Sequence, residues 1–155
     1  LAKRGLDVVG LDLSSGMINL AKKTHPHLKF IQGNFLDLPF ADNSFIGVWG
    51  LAALVHLESV AAAKKALAEF QRVLKPGGIL FLRVKANLKN NKFETVKDLQ
   101  GAGERFFQYF TQAELKKYLQ AAGFSLLKMQ QYPERQIQRY SQPVEWIDCL
   151  SKTGE

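Results

Sequence analysis

Apolar residues in this chain gather in short runs between turn residues, and the runs alternate with longer segments of helical spacing. DVVGLD at 7–12 is rich in valine and leucine and reads as a short, fully buried strand. Ser14 or Ser15 then supplies an N-cap for a helix that carries Met17, Ile18 and Leu20 inward, and Pro26 stops it. LKFIQG at 28–33 and NSFIGVWG at 43–50 are the second and third strands, with the turn residues Pro39, Asp42 and Asn43 between them. From Leu57 to Leu74 the spacing of Val60, Leu67, Phe70, Val73 and Leu74 among alanines predicts a strong helix, ended by PGG at 76–78. ILFLRV at 79–84 is the fourth strand.

Residues 86–110 start polar (ANLKNNK) and become aromatic at Phe106, Phe107, Tyr109 and Phe110. The segment is too long for an idle connector and predicts a lid over a site. Thr111 caps a helix that opens TQAEL, with Glu114 completing a capping box, and Gly123 closes it. FSLLKMQQY is the next strand, and VEWIDCLS alternates enough to be the last. Strands alternating with helices predict an α/β domain with a mainly parallel sheet and right-handed crossovers. In such sheets a ligand sits at the carboxyl ends of the strands.

Composition narrows this picture. The 155 residues suit a single domain, and 46% hydrophobic content is enough for an ordinary core. No window approaches 18 apolar residues, so neither a membrane span nor a signal peptide is expected. The single cysteine, Cys149, has no partner for an internal disulfide or a metal motif and is expected to be buried, in keeping with a cytoplasmic setting. The net charge of +7 invites a nucleic-acid reading, but the cations are scattered. Only a looser basic group, Arg83 to Lys97 with Lys85, Lys89 and Lys92, stands out.

Several strand ends carry candidate chemistry. A carboxylate at Asp12 can accept hydrogen bonds from both hydroxyls of a ribose, or serve as a charge at a helix N-terminus. In GNFLDLPF, Asn34 can offer an amide oxygen to an exocyclic amine and Phe35 a backbone N–H to a ring nitrogen; alternatively Asn34 turns the chain and Phe35, Leu36 and Leu38 are core. Gly50 lets either a ligand or a packing neighbour approach the backbone. His56, a few residues past a strand, is a candidate general base or a packing histidine. His25 and His27 flank Pro26 in a surface turn without cysteine or carboxylate neighbours, so no metal site is expected there.

In order, GLDLSSGM, GNFLDLPFADNSF, VWGLAALVHL, EFQRVLKPGG, ILFLRV and YFTQAELKKYLQAAGF resemble successive motifs of the class I S-adenosylmethionine-dependent methyltransferases, over roughly residues 5–130. The likeness is greatest to the small-molecule branch with LPF-loop and LKPGG signatures. It implies a Rossmann-like, mostly parallel sheet ordered 3-2-1-4-5-7-6. It further implies that Asp12 holds the ribose of S-adenosylmethionine, that Leu13 and Met17 pack on the adenine, and that Asn34 and Phe35 read its edge. Gly50 and Leu51 would line the methionine portion, and His56, Phe107 and Tyr109 would face the acceptor. The reaction implied is methyl transfer to a small-molecule acceptor.

The chain departs from that pattern. A first strand and its GxGxG loop, which precede the aspartate strand in the family, are absent, so residues 1–155 are expected to be a single, N-terminally truncated domain with a lid at 86–110. The strand at 7–12 must then pair with 45–50, leave an open edge, or borrow a strand from another chain. Family members often carry an acid at the position of Asn34 and another where this chain has Ile46, which is expected to join the core. Two other readings stay open: a catalytically silent homologue that binds a partner protein, and a nucleic-acid methyltransferase using the basic group.

Overall fold

The structure, a computed structural model, describes residues 1–88, 90–97, 104–134 and 144–154. Lys89, the side chain of Lys97 and the middle of the expected lid lie outside the described residues. The chain forms two compact units, residues 1–40 and 41–155.

In the first unit a short 3₁₀ turn precedes strand β1 (Val9–Asp12), helix α1 (Ser15–Thr24) and strand β2 (Lys29–Gln32). β1 and β2 run parallel, Val9 opposite Lys29 and Asp12 opposite Gln32. Ser14 caps α1 by accepting the Met17 N–H, and the helix ends before Pro26. Gly10 lies against the Phe30 ring, where a Cβ would come within 2.6 Å of it. β1 is not fully buried as expected: Val9, Gly10 and Leu11 are half-buried, and among the described residues the strand has a ladder neighbour on one edge only. Of the α1 residues expected to point inward, Ile18 does, whereas Met17 and Leu20 are exposed.

The second unit carries β3 (Phe45–Leu51), a 3₁₀ turn at Leu54–His56, α2 (Val60–Val73), β4 (Leu74–Lys85), β5 (Phe93–Lys97), β6 (Glu104–Gln108), α3 (Gln112–Ala121), β7 (Phe124–Pro133) and β8 (Glu145–Thr153). A four-stranded sheet has the order β3-β4-β8-β7. β3 and β4 are parallel, while β8 runs antiparallel to both β4 and β7. Helix α2, capped by Ser59, buries Ala63, Ala66, Leu67, Phe70 and Val73, and α3, with the capping box of Thr111 and Glu114, buries Leu115, Tyr118 and Leu119. The buried face of the sheet is Leu80, Leu82 and Val84 from β4 with Ile147 and Cys149 from β8, so Cys149 is the core residue expected, its thiol pushed up to about 12 by burial. α2 passes directly into β4, whose first residues contain the PGG segment with Gly77 at φ +71°, and Thr153 clamps it: its hydroxyl accepts the Gly78 N–H and donates to the Lys75 carbonyl.

The two ladders, β2-β1 and β3-β4-β8-β7, reproduce the 3-2 and 4-5-7-6 runs of the implied strand order. Among the described residues β1 pairs with β2 and β3 with β4. Ile46 does not join the core: it is 65% exposed at a register irregularity between Phe45 and Gly47, which turns it out of the ladder. The expected lid is partly regular, β5 and β6 forming an antiparallel hairpin with Phe93 opposite Gln108.

Candidate functional site

In the first unit the strand ends bring two candidate segments together. Asp12 is the last residue of β1, and its Oδ1 accepts the Ser14 N–H at 2.8 Å, which fixes the carboxylate at the start of α1. A carboxylate offers about four lone-pair sites, so this bond leaves capacity for further donors. The Gly33 N–H donates to the Asp12 carbonyl at 3.0 Å, and Gln32 Nε2 to the Leu13 carbonyl at 3.2 Å. These bonds hold the Gly33–Asn34 corner beside Asp12. Leu13 and Met17 are 64% and 54% exposed, an apolar surface next to an acid that burial in the protein does not account for. Asn34 Oδ1 accepts the Leu36 N–H at 2.9 Å, and the Asp37 N–H reaches the Asn34 carbonyl. Asn34 therefore turns the chain; its carboxamide keeps a second lone pair and both N–H donors. Phe35 and Leu36 are half-buried and Leu38 is core.

In the second unit the candidates gather past the ends of β3 and β4. Gly50 is explained by packing, since a Cβ there would lie 2.7 Å from Leu82 Cδ2. Leu51 is exposed, and Ala52 adopts a left-handed φ of +53° as the chain turns, its N–H bonded to the Arg83 carbonyl. Leu54, Val55 and Leu57 are buried and anchor the 3₁₀ turn from which His56 projects outward. His56 Nδ1 lies 3.0 Å from the Phe106 carbonyl oxygen. A carbonyl only accepts, so Nδ1 carries the hydrogen, and Nε2 of the neutral ring keeps its lone pair. The His56 ring packs 5.0 Å from the Phe107 ring, which is 6.5 Å from Tyr109. The Tyr109 hydroxyl donates to Glu94 Oε2 at 2.6 Å, and burial together with that bond pushes the phenol above its ordinary range.

Three residues named from the sequence, His56, Phe107 and Tyr109, thus form one cluster. The sequence reading missed two of its members, Lys85 and Glu94. Lys85 had a legible signal: it directly follows the apolar strand ILFLRV, at the carboxyl end where ligands bind. The basic group dissolves in part. Arg83 forms a bidentate pair with Asp148 (2.7 and 2.8 Å), and Lys92 is bonded to Glu114 and to the Tyr118 hydroxyl.

Residues 1–82 match the family described as a methyltransferase domain, more than half of the chain, and the chain belongs to that family. A demethylmenaquinone methyltransferase from Renibacterium salmoninarum is 45% identical over 95 residues, which are 61% of this chain and 39% of that protein. The chain spans well under half the length of the curated relatives it matches. Among solved structures, a SAM-dependent methyltransferase from Methanosarcina mazei superposes with a TM-score of 0.88 at 21% identity, over 99% of this chain and 84% of that one. The Burkholderia thailandensis 1,6-didemethyltoxoflavin-N1-methyltransferase, solved with its acceptor and S-adenosylhomocysteine, superposes with a TM-score of 0.72 at 19% identity, over 99% and 64%. These likenesses establish the fold as the α/β class of the class I methyltransferases.

Proposed function

We propose that the chain forms the core of a cytoplasmic S-adenosylmethionine-dependent methyltransferase that acts on a small-molecule acceptor. The observation that carries this reading is the end of β1, where the Asp12 carboxylate stands beside the exposed apolar surface of Leu13 and Met17. An acid next to an open apolar surface fits a nucleoside: Asp12 takes the two ribose hydroxyls, and Leu13 and Met17 take the face of the base. Each such charge-assisted bond contributes about 1.5–3 kcal/mol. Asn34 and the Phe35 backbone N–H address the edge of the base.

When bound, S-adenosylmethionine supplies a methyl group on a sulfonium sulfur, transferred in line as the carbon–sulfur bond breaks and its electron pair stays on sulfur. The residues of the chain position the acceptor and manage its proton. Nε2 of His56 takes the proton released by the acceptor, and Phe107 and Tyr109 provide aromatic surface for it. The name of the curated relatives makes a quinone-type aromatic the acceptor to test first. With methyl-labelled cofactor and demethylmenaquinol, the native gene product should transfer label. His56→Ala should lower kcat by about 10²–10⁴-fold while leaving cofactor affinity unchanged.

A second reading rests on the ladders. β1 and β3 each have one ladder neighbour among the described residues, which favours a catalytically silent homologue that binds a partner strand. A folded protein that binds no S-adenosylhomocysteine, yet becomes soluble only with a partner, would establish that reading instead.

A further inference from the structure

A buried carboxamide without partners lies at the base of the hairpin of β5 and β6. Gln108, the last residue of β6, is fully buried, and among the described residues neither its Nε2 nor its Oε1 has a hydrogen-bond partner. Asn87, which follows β4, leaves its Oδ1 buried and unpaired in the same way. Both stand near the roots of the hairpin, where backbone bonds join the two chain segments. The Asn87 N–H donates to the Phe110 carbonyl and the Phe110 N–H to the Lys85 carbonyl, each at 2.9 Å. A buried polar group that loses water without gaining a partner disfavours the conformation that buries it, by a factor of roughly 5–150.

Burial falls away from that base. Phe106 and Phe107 are half-buried, whereas Glu104 and Arg105 on β6 and Thr95 and Val96 on β5 are exposed. The inner half of the hairpin lies over the carboxyl end of β4, with the Phe107 ring centroid 3.6 Å from Nζ of the buried Lys85. β6 is also tied to the 3₁₀ turn at Leu54–His56, because His56 Nδ1 donates to the Phe106 carbonyl at 3.0 Å. β5 and β6 form a ladder of their own, separate from β3-β4-β8-β7. The pair can therefore lift about its roots without breaking the main sheet. Lifting gives up the His56 bond and the ring contacts, and returns the Gln108 carboxamide to water, where donor and acceptor are both satisfied.

We propose that the hairpin of β5 and β6 is a gate over the carboxyl end of β4, hinged at Asn87 and Phe110, and that the unpaired Gln108 carboxamide sets it to open. A ligand reaches the Lys85 end of β4, the end at which such sheets take ligands, in the open state. The gate does not depend on which reaction the protein catalyses.

Amide hydrogen exchange of the native gene product tests this, with wild-type protein beside Gln108→Met and, as a second apolar replacement, Gln108→Leu. In the wild-type protein the amides of β5 and β6 should exchange at least about a hundredfold faster than those of β4 and β8. Replacing the carboxamide by an apolar chain should slow hairpin exchange by at least about tenfold and raise the urea midpoint. Wild-type hairpin exchange as slow as that of β4 and β8 would overturn the proposal. So would hairpin exchange that is unchanged or faster in both variants. A lowered midpoint in both, or failure of both to fold, would overturn it as well, since the carboxamide would then be satisfied in the closed state, as by a buried water.

Discussion

One added methyl group at position 50 has nowhere to go. Gly50→Ala places its Cβ 2.7 Å from Leu82 Cδ2 in the core, and overpacking of this kind costs about 1–3 kcal/mol. Denaturant unfolding should show that loss; an unchanged midpoint would mean that Leu82 yields freely. At Ala52 the strain is in the backbone, with φ +53°. Ala52→Gly should stabilise the fold by about 1 kcal/mol, measured the same way, because glycine adopts that conformation without a Cβ clash. The candidate site residues were named from the sequence by their place after a strand, as at Asp12 and His56, or by the run of aromatics in the 86–110 segment, as at Tyr109. Met17 and Leu20 were misplaced because helical spacing identifies an apolar stripe but does not show whether a neighbour covers it. Lys85 was read from the sequence only as one of a scattered basic group, whereas the structure buries it with its ammonium over the Phe107 ring of β6.

At the level of elements, two polar devices hold the second unit. The Thr153 hydroxyl serves both the Gly78 N–H and the Lys75 carbonyl, so Thr153→Val strips two partners from the PGG segment at the start of β4. A loss of about 2 kcal/mol in urea unfolding is expected. The second device joins Lys92 to Glu114 of the α3 capping box. Burial alone would push Glu114 up, but the bonds from Lys92 and Thr111 outweigh it and hold the carboxyl below its ordinary value. Burial would also raise Asp148, but the hydrogen bonds from Arg83 and Tyr132 outweigh it and hold that carboxyl below its ordinary value. Folded-state values below the unfolded ones mean that the unfolded chain binds more protons. The stabilisation from both groups is therefore full above the unfolded pKa values and is lost as pH falls through the folded ones. Lys92→Met should flatten the acid limb of a stability curve taken from about pH 6 to pH 3; an unaltered limb would show that Glu114 contributes nothing.

The element order was legible because apolar period and turn residues agree along most of the chain: the strands at 7–12, 28–33, 43–50, 79–84, 124–132 and 144–151 all appear within a few residues. The hairpin of β5 and β6 was not, since ANLKNNK and the following aromatics have no period of two to announce it. Ile46 was misread because a register irregularity leaves no trace in a single sequence.

For the whole molecule, the net charge of +7 is less available than it looks. Arg83 and Lys92 are paired and Lys85 is buried, so the group that favoured nucleic acid presents little concentrated charge among the described residues. Binding to a mixed-sequence single-stranded RNA should be weak and should vanish by about 0.15 M salt in a fluorescence titration; tight binding at that salt would revive the nucleic-acid reading. The central claim is that Asp12 holds the ribose of S-adenosylmethionine. The most direct measurement is calorimetric titration of the native gene product with S-adenosylhomocysteine, wild-type beside Asp12→Ala. The account predicts saturable binding by the wild-type protein and a loss of at least about tenfold in affinity for the folded variant. Equal affinity in both, or no binding by a folded wild-type protein, would contradict it.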